Sequence, residues 1–128
     1  MNLLLDTHAF IWFVENDKQM PAKTKAEIEK ESNSILVSVA SLWEITIKLS
    51  LGKLEIKSSL EKIIKEVAEN GFELLPILPE HFLALSKLKY YHRDPFDRLI
   101  IAQGQFENLL IVSKDVTFDT YKVKRIWD

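Results

Sequence analysis

Residues 2–15 read NLLLDTHAFIWFVE and pass from an apolar run, through one acidic residue, into a helical pattern. Asn2–Leu5 is short and apolar, which is typical of a strand covered on both faces. In Thr7–Glu15 the apolar side chains recur at helical spacing. Asp6 therefore stands where a first strand ends and a first helix begins.

The same alternation continues through the rest of the chain. We predict further strands at Ser34–Val39, Phe72–Ile77, Leu109–Ser113 and Val123–Trp127. We predict further helices at Lys23–Glu31, Ser41–Leu51, Ser59–Glu69, Pro79–Leu88 and Asp97–Glu107, with Gly52 and Asn70-Gly71 as helix ends. Strands alternating with helices predict an α/β fold with a parallel sheet covered by helices on both faces. Right-handed crossovers would bring the carboxyl end of every strand to one edge of that sheet.

Length and composition narrow the class of protein. A chain of 128 residues has the size of one domain, so we expect residues 1–128 to form a single domain. No apolar run reaches the ~20 residues of a membrane span, and no signal peptide precedes the first strand, so we expect a cytoplasmic protein without a membrane partner. The absence of cysteine excludes disulfides, thiolate zinc sites and cysteine nucleophiles. A net charge of −2 argues against a nucleic-acid coat protein, but not against an enzyme with a local basic rim.

Four acidic residues from four separate segments occupy comparable places, at the end of a strand or near the start of a helix. They are Asp6, Glu44, Asp97 and Asp115. An open α/β sheet collects such positions at the edge where ligands bind. Carboxylates gathered there would repel one another, so the arrangement requires a cation, and Mg²⁺ or Mn²⁺ suits oxygen ligands. The pattern predicts a metal-dependent nuclease.

Each acid also has an ordinary structural explanation. Asp6 and Asp115 are suited to capping a helix or to forming a turn. Glu44 is suited to an exposed pair with Lys48, or to a capping box with Ser41. The metal-site interpretation depends on the coincidence of all four acids at one edge, because no single position requires it.

Two further acids lie beside the proposed ligands. Pro95 suits the first position of a helix, so we expect Asp94 to cap that helix and Asp97 to bind the metal. Asp119 lies one helical turn after Asp115, and we expect it to be structural.

Four sequence blocks resemble those of PIN-domain proteins, and in particular the VapC-type toxins of type II toxin–antitoxin modules. The blocks are LLDTH at 4–8, SLWEI at 41–45, HRDPFDRLIIA at 92–102 and VSKD at 112–115. They follow the family's order from the first strand to the last. The resemblance implies a three-layer α/β/α fold and a Mg²⁺- or Mn²⁺-dependent endoribonuclease that cleaves RNA with metal-activated water.

The resemblance also implies which residues bind the metal and which proteins bind the chain. The family's acidic quartet maps to Asp6, Glu44, Asp97 and Asp115, of which the fourth varies most among such proteins. Family members form homodimers and are neutralised by a small VapB-type antitoxin. The RNA target, the number of metal ions and the antitoxin's identity stay open.

Several residues near the acids are candidate helpers. We expect the hydroxyls of Thr7 and Ser113 to position water on the metal, although both are also suited to capping. Arg93 and Arg98 bracket Asp97 and are candidates for holding phosphates. Surface charge is the ordinary explanation for each arginine.

The aromatic and histidine side chains are expected to have mainly structural roles. The loop at Tyr90–His92 is suited to stacking on unpaired bases, or to being a packed connector. We expect His8 and His81 at the edge of the core, and Trp12 and Trp43 mostly within it.

Phosphoryl-transfer proteins also gather acids at the ends of strands. A receiver domain would place a second acid beside Asp6, and a haloacid-dehalogenase phosphatase would place an Asp two residues later. Thr7 and His8 occupy those places, so both classes are disfavoured. The remaining alternative is a catalytically silent PIN-fold module that binds RNA or protein. Such a module is expected to have lost a core acid, and none is missing.

Overall fold

The computed structural model describes residues 1–128. Its strands are β1 at Asn2–Leu5, β2 at Ser34–Ser38, β3 at Glu73–Leu75, β4 at Leu110–Val112 and β5 at Arg125–Ile126. Its helices are α1 at Thr7–Val14, α2 at Ala22–Glu29, α3 at Val39–Ser50, α4 at Leu60–Glu69, α5 at Pro79–Ser86 and α6 at Pro95–Glu107, with a 3₁₀ helix at Val116–Thr120. All strand pairs are parallel, and the sheet order is β3-β2-β1-β4-β5. The predicted α/β class and parallel sheet are confirmed.

Hydrophobic clusters on both sides of the sheet show the predicted three layers. Successive side chains of a strand point to opposite faces, so Leu3 and Leu5 face one cluster and Leu4 faces the other. The first cluster includes buried side chains of α1, α2, α3 and α4, and the second includes Ile100 and Ile101 of α6. All three leucines are fully buried, and each such burial stabilises the fold by roughly 1.5–3 kcal/mol.

The start of α3 differs from the prediction. Ser38 ends β2, and its hydroxyl accepts a hydrogen bond from the backbone N–H of Ala40 at 3.0 Å, so Ser38 caps α3. The predicted helix start at Ser41 is therefore wrong, and so is the capping box of Ser41 with Glu44. The earlier start places Glu44 in the second turn of the helix.

The strands at the two ends of the sheet are shorter than predicted. β3 covers Glu73–Leu75 where Phe72–Ile77 was expected, and β5 has only two residues, Arg125–Ile126. Pro76 follows β3 and has no N–H to continue the ladder.

Gly52 and Gly71 end α3 and α4 with φ of 68° and 72°, and these helix ends were predicted correctly. None of the helices combines the length and the apolar character needed to cross a lipid bilayer.

Candidate metal centre

The carboxyl ends of the three central strands, β2, β1 and β4, lie side by side at one edge of the sheet. Asp6 directly follows β1, and its Oδ1 accepts a hydrogen bond from the backbone N–H of Ala9 at 2.8 Å. Asp6 therefore caps α1, as its ordinary explanation predicts. It is also buried, with 6% of its surface exposed, which a simple cap does not require.

Glu44 reaches the same edge from α3 and is almost completely buried. The Thr7 hydroxyl donates a hydrogen bond to Glu44 Oε1 at 2.6 Å, and the Lys48 ammonium pairs with Oε2. The Glu44–Lys48 pair is present, but the surface setting expected for such a pair is wrong because Glu44 is only 2% exposed. Burying a carboxylate is costly unless charged or hydrogen-bonding partners surround it.

Asp97 lies in the first turn of α6, which begins at Pro95. Asp94 Oδ1 accepts hydrogen bonds from the N–H groups of Phe96 and Asp97, at 2.8 and 3.1 Å, so Asp94 is the cap. The prediction that Asp94 caps this helix is confirmed. The Asp97 carboxylate is consequently free of the helix backbone, and its Oδ2 lies 3.1 Å from His92 Nε2.

Asp115 follows β4 and caps the 3₁₀ helix by accepting a hydrogen bond from the Thr117 N–H at 2.9 Å. Its Oδ2 lies 2.7 Å from His92 Nε2. Metal-binding atoms of His92, Asp97 and Asp115 all lie within 4.8 Å of one another. Asp119 pairs instead with the Arg125 guanidinium at 2.9 Å, in agreement with the expectation that Asp119 is structural.

Burial and neighbouring negative charges raise the pKa of two of the acids, Asp97 and Asp6. Burial, followed by the negative charges of Asp94, Asp6, Glu44 and Asp115, raises the pKa of Asp97 to about 8. Burial also raises the pKa of Asp6 to about 6, against the opposing effect of hydrogen bonds with Ser113 and the Ala9 N–H. The nearby charge of Glu44 adds to the increase for Asp6.

Asp115 behaves differently because it is more exposed. Burial raises its pKa, but hydrogen bonds from the Thr117 N–H and from His92 outweigh that effect, so the pKa lies below its ordinary value. The negative charges of the same acids also affect the pKa of the Lys48 ammonium. Burial lowers the pKa of the Lys48 ammonium, but its hydrogen bond to Glu44 and the charges of Glu44, Asp94 and Asp97 raise it overall.

This donor set fits a hard divalent cation. It offers carboxylate oxygens, has no thiolate, and combines burial with mutual repulsion that a positive ion would relieve. Asp6, Glu44, Asp97 and Asp115 are the residues that could hold the ion.

Thr7 and Ser113 support the carboxylates. Thr7 lies between Glu44 and Ser41, 3.0 Å from the Ser41 hydroxyl. The buried Ser113 hydroxyl accepts a hydrogen bond from the Asp115 N–H at 3.0 Å and also hydrogen-bonds Asp6. Their expected contact with water on the metal stays a prediction.

Arg98 is buried and bound to loop carbonyls, and its expected role in holding phosphate stays a prediction. Its guanidinium donates to the carbonyls of Lys89 and Leu88, at 2.8 and 3.3 Å, and stacks 3.9 Å from the centre of the Tyr90 ring. These bonds tie the α5–α6 loop to α6. Arg93 is exposed and has no hydrogen bond, so its expected role stays a prediction.

His92 is the residue of this region that the sequence analysis missed. Its ring lies between Asp97 and Asp115, whereas base stacking or packing in a loop was expected. The sequence contains one indication of this position: His92 comes two residues before Asp94, the residue that caps α6. Its contact with Asp115 joins residues 23 positions apart and depends on the path of the loop.

Three other side chains lie elsewhere than expected. Trp43 is 53% exposed and contacts Phe96 edge-on, with ring centres 5.1 Å apart, so its assignment to the core is wrong. His8 is exposed rather than at the core edge. His81 is fully buried, and its Nε2 lies 2.8 Å from Glu107 Oε2.

Comparison with known proteins gives one family match. A family model described as "PIN domain" matches residues 3–124. No curated protein sequence matches the chain.

Solved structures share the fold at low sequence identity. VapBC2 from Rickettsia felis bound to a DNA fragment from their promoter gives a TM-score of 0.76 at 16% identity, covering 100% of both chains. VapBC-1 from nontypeable Haemophilus influenzae gives 0.69 at 18%, covering 98% of this chain and 97% of the other. FitAcB from Neisseria gonorrhoeae gives 0.63 at 17%, covering 97% and 96%. At these identities the likeness shows a shared fold.

Proposed function

The chain belongs to the PIN domain family, and from this premise we propose that it is a Mg²⁺- or Mn²⁺-dependent endoribonuclease. We further propose that residues 1–128 form one catalytic domain that acts on cytoplasmic RNA as the toxin of a VapBC-type toxin–antitoxin module. The observation that carries the proposal is the convergence of two buried carboxylates, Asp6 and Glu44, with the partly buried Asp97 at the carboxyl edge of the sheet.

The ligands we propose are Asp6, Glu44, Asp97 and Asp115. When bound there, a divalent ion would activate water and stabilise negative charge on a phosphodiester. The protein's own groups orient the ligands: the Ala9 N–H fixes Asp6, and the Thr7 hydroxyl fixes Glu44. Lys48 balances part of the charge of Glu44 through its pair with Oε2. No side chain need bond covalently to the substrate.

Exposed aromatic and basic side chains beside the acids support RNA as the substrate. Trp43 and Phe96 each directly precede a proposed ligand, and their rings are in contact. An exposed indole at this place is suited to stacking on an unpaired base, which is how proteins recognise single-stranded RNA. Arg93 and Lys114 are exposed nearby in sequence and are candidates for holding phosphates.

We also propose protein partners, namely a VapB-type antitoxin and a second copy of the chain. Two of the structurally similar proteins are VapBC complexes. Phe82 and Leu83 of α5 and Phe106 of α6 are each at least half exposed, and Leu83 and Phe106 line the same groove. Apolar side chains grouped on a surface in this way are typical of a protein interface.

The proposal is tested by cleavage of RNA with wild-type protein, Asp6→Asn and Asp97→Asn, with Mg²⁺ or with a chelator. Each substitution keeps the shape of the side chain and removes its charge. We expect at least a ~100-fold loss of rate in each variant and in chelator, because the ligand charge is needed in the transition state. A generic phosphomonoester should release no phosphate.

Asp119→Asn is the matched control, because Asp119 lies in the same region and pairs with Arg125 on the surface. It should cleave RNA at nearly the wild-type rate. Near wild-type cleavage by Asp6→Asn or Asp97→Asn, or cleavage that persists in chelator, would contradict the proposal.

A further inference from the structure

His92 is held in one orientation by contacts on several sides. Its backbone N–H donates to the Tyr121 hydroxyl at 2.9 Å, and that hydroxyl donates to the Lys89 carbonyl at 2.6 Å. The imidazole meets the Phe118 ring at 76°, with ring centres 5.7 Å apart. The His92 side chain is only 13% exposed, so solvent has little access to the ring.

The hydrogen bonds of the ring define which nitrogen carries the proton. The Asp94 N–H donates to His92 Nδ1 at 3.1 Å, so Nδ1 must be unprotonated to accept it. In the neutral ring the proton is then on Nε2. That Nε2–H donates to Asp115 Oδ2 at 2.7 Å, and Asp97 Oδ2 lies 3.1 Å from the same nitrogen.

Asp97 and Asp115 need such a restraint more than the other acids do. They extend from separate elements, the first turn of α6 and the loop after β4. The Asp115 side chain is 38% exposed, and its Oδ1 is already bound to the Thr117 N–H. His92 is the group that joins its Oδ2 to Asp97.

We propose that His92 is a positioning residue whose Nε2–H, oriented by the Asp94 N–H, holds the carboxylates of Asp97 and Asp115 together for one divalent ion. This inference rests on the proposed function only in assuming that these carboxylates bind metal. It assigns His92 the role of a donor to the ligands. Direct ligation would need a lone pair on Nε2, and therefore a proton on Nδ1, where the Asp94 N–H already points.

Two substitutions of His92 distinguish the effect of its N–H donor from the effect of its aromatic ring. His92→Phe keeps an aromatic ring against Phe118 but removes both nitrogens. His92→Gln offers an amide N–H near the place of Nε2. Tyr121→Phe is the matched control for the loop, because it removes the hydroxyl that binds the His92 and Lys89 backbone but none of the groups that contact the imidazole nitrogens.

The first measurement is Mn²⁺ affinity, from the electron paramagnetic resonance signal of free Mn²⁺, with thermal unfolding recorded in parallel. We expect His92→Phe to weaken binding about 10-fold or more, the usual effect of removing a group that orients a metal ligand. His92→Gln should restore most of the affinity, and Tyr121→Phe should lower the melting temperature with little change in affinity. Mn²⁺ affinity that is unchanged in His92→Phe, or reduced equally in Tyr121→Phe, would overturn the proposal.

The second measurement distinguishes a donor from a ligand. In metal-free protein labelled with ¹⁵N-histidine, nuclear magnetic resonance should show a proton on Nε2 of His92 and none on Nδ1, with His92→Gln assigning the signal. With Mn²⁺ bound, electron spin echo modulation should show no directly coordinated imidazole nitrogen. A proton on Nδ1, or a directly coupled nitrogen that disappears in His92→Gln, would overturn the proposal.

These readouts do not depend on RNA cleavage. Wild-type protein that binds Mn²⁺ with the expected dependence on His92, but cuts no RNA, would refute the nuclease and support the inference. Cleavage that is lost in Asp97→Asn but unchanged in His92→Phe, with unchanged Mn²⁺ affinity, would support the nuclease and refute the inference.

Discussion

Among single residues, Asp97 has the carboxyl whose pKa is raised most. Burial and four neighbouring carboxylates raise its pKa to about 8, whereas Asp115 is stabilised in its charged form by hydrogen bonds. Without metal, the Asp97 carboxyl is largely protonated near neutral pH. A cation that binds there must displace that proton, so metal affinity should rise with pH in this range.

The raised pKa values predict how the stability of the metal-free protein depends on pH. The folded-state pKa values of Asp6 and Asp97, about 6 and about 8, exceed the ordinary value of 3.8, so the folded chain binds more protons than the unfolded chain between these limits. The contribution of these two groups is fully present below pH 3.8 and is lost as the pH rises through about 6 and then about 8.

Asp97→Asn removes the larger of these two effects. In chelator above pH 8, we expect the variant to be more stable than the wild type by on the order of 1 kcal/mol, because it contains no repelled carboxylate. The difference should disappear near pH 4. Thermal unfolding of both proteins across this range measures it, and a variant that is less stable than the wild type at high pH would refute the assignment.

Local chemistry explains which residue roles could be predicted from the sequence. Asp94 was predicted as the cap because Pro95 fixes the start of the helix, and that reasoning uses only neighbouring residues. The roles of His92 and Arg98 depend on which way a loop turns. The adjacent letters do not contain that information, so the contacts of His92 with Asp115 and those of Arg98 with the loop carbonyls were not predicted.

At the scale of elements, a buried polar network connects the helices that supply Glu44 and Asp97. The Ser38 hydroxyl, which caps α3, donates to Gln103 Oε1 of α6 at 2.6 Å. Gln103 Nε2 donates to the Pro76 carbonyl at 3.2 Å and lies 3.3 Å from His81 Nδ1. Ser38, His81 and Gln103 are all fully buried, so the network fixes the distance between α3 and α6.

Gln103→Leu would break this network in the interior. It leaves the Ser38 hydroxyl and the Pro76 carbonyl without their partner, so we expect a loss of about 2–4 kcal/mol in the free energy of unfolding. Urea unfolding measures the loss. Gln105→Leu, on the same helix but partly exposed and without a side-chain hydrogen bond, is the control and should change stability by less than ~1 kcal/mol. Equal losses of unfolding free energy in both variants would show that the network does not stabilise the fold as proposed.

Element boundaries were predictable where backbone chemistry decides them. Gly52 and Gly71 end helices because a positive φ suits glycine. The start of α3 was not predictable, because Ser38 and Ser41 are equally good caps by sequence. Ser38 became the cap because the strand ends there and its hydroxyl meets Gln103, a contact between distant segments.

At the scale of the whole molecule, alternating strands and helices predicted the layers but not the order of the strands. The order β3-β2-β1-β4-β5 places β1 in the middle, so Asp6 lies between the elements that carry Glu44 and Asp115. The fully apolar Leu3-Leu4-Leu5 is consistent with that central place, since each face meets a hydrophobic cluster. The candidate metal centre is therefore a product of topology as well as of residue type.

A bound ion should stabilise the entire fold, because the unfolded chain has no assembled site. At a free Mn²⁺ concentration 100 times its dissociation constant, the free energy of unfolding should increase by about 2.7 kcal/mol. The melting temperature should rise by roughly 10 °C in the wild type. Asp6→Asn should show a much smaller increase, and Asp119→Asn should match the wild type. An equal increase in Asp6→Asn would place the ion elsewhere.

The central claim is that the fold gathers Asp6, Glu44, Asp97 and Asp115 around one divalent cation. Anomalous X-ray diffraction from crystals grown with Mn²⁺ tests it most directly, because the anomalous signal locates the ion itself. We predict a peak about 2.2 Å from carboxylate oxygens that include Asp6 and Asp97. A peak at another place, or none at this edge with Mn²⁺ in excess, would contradict the account.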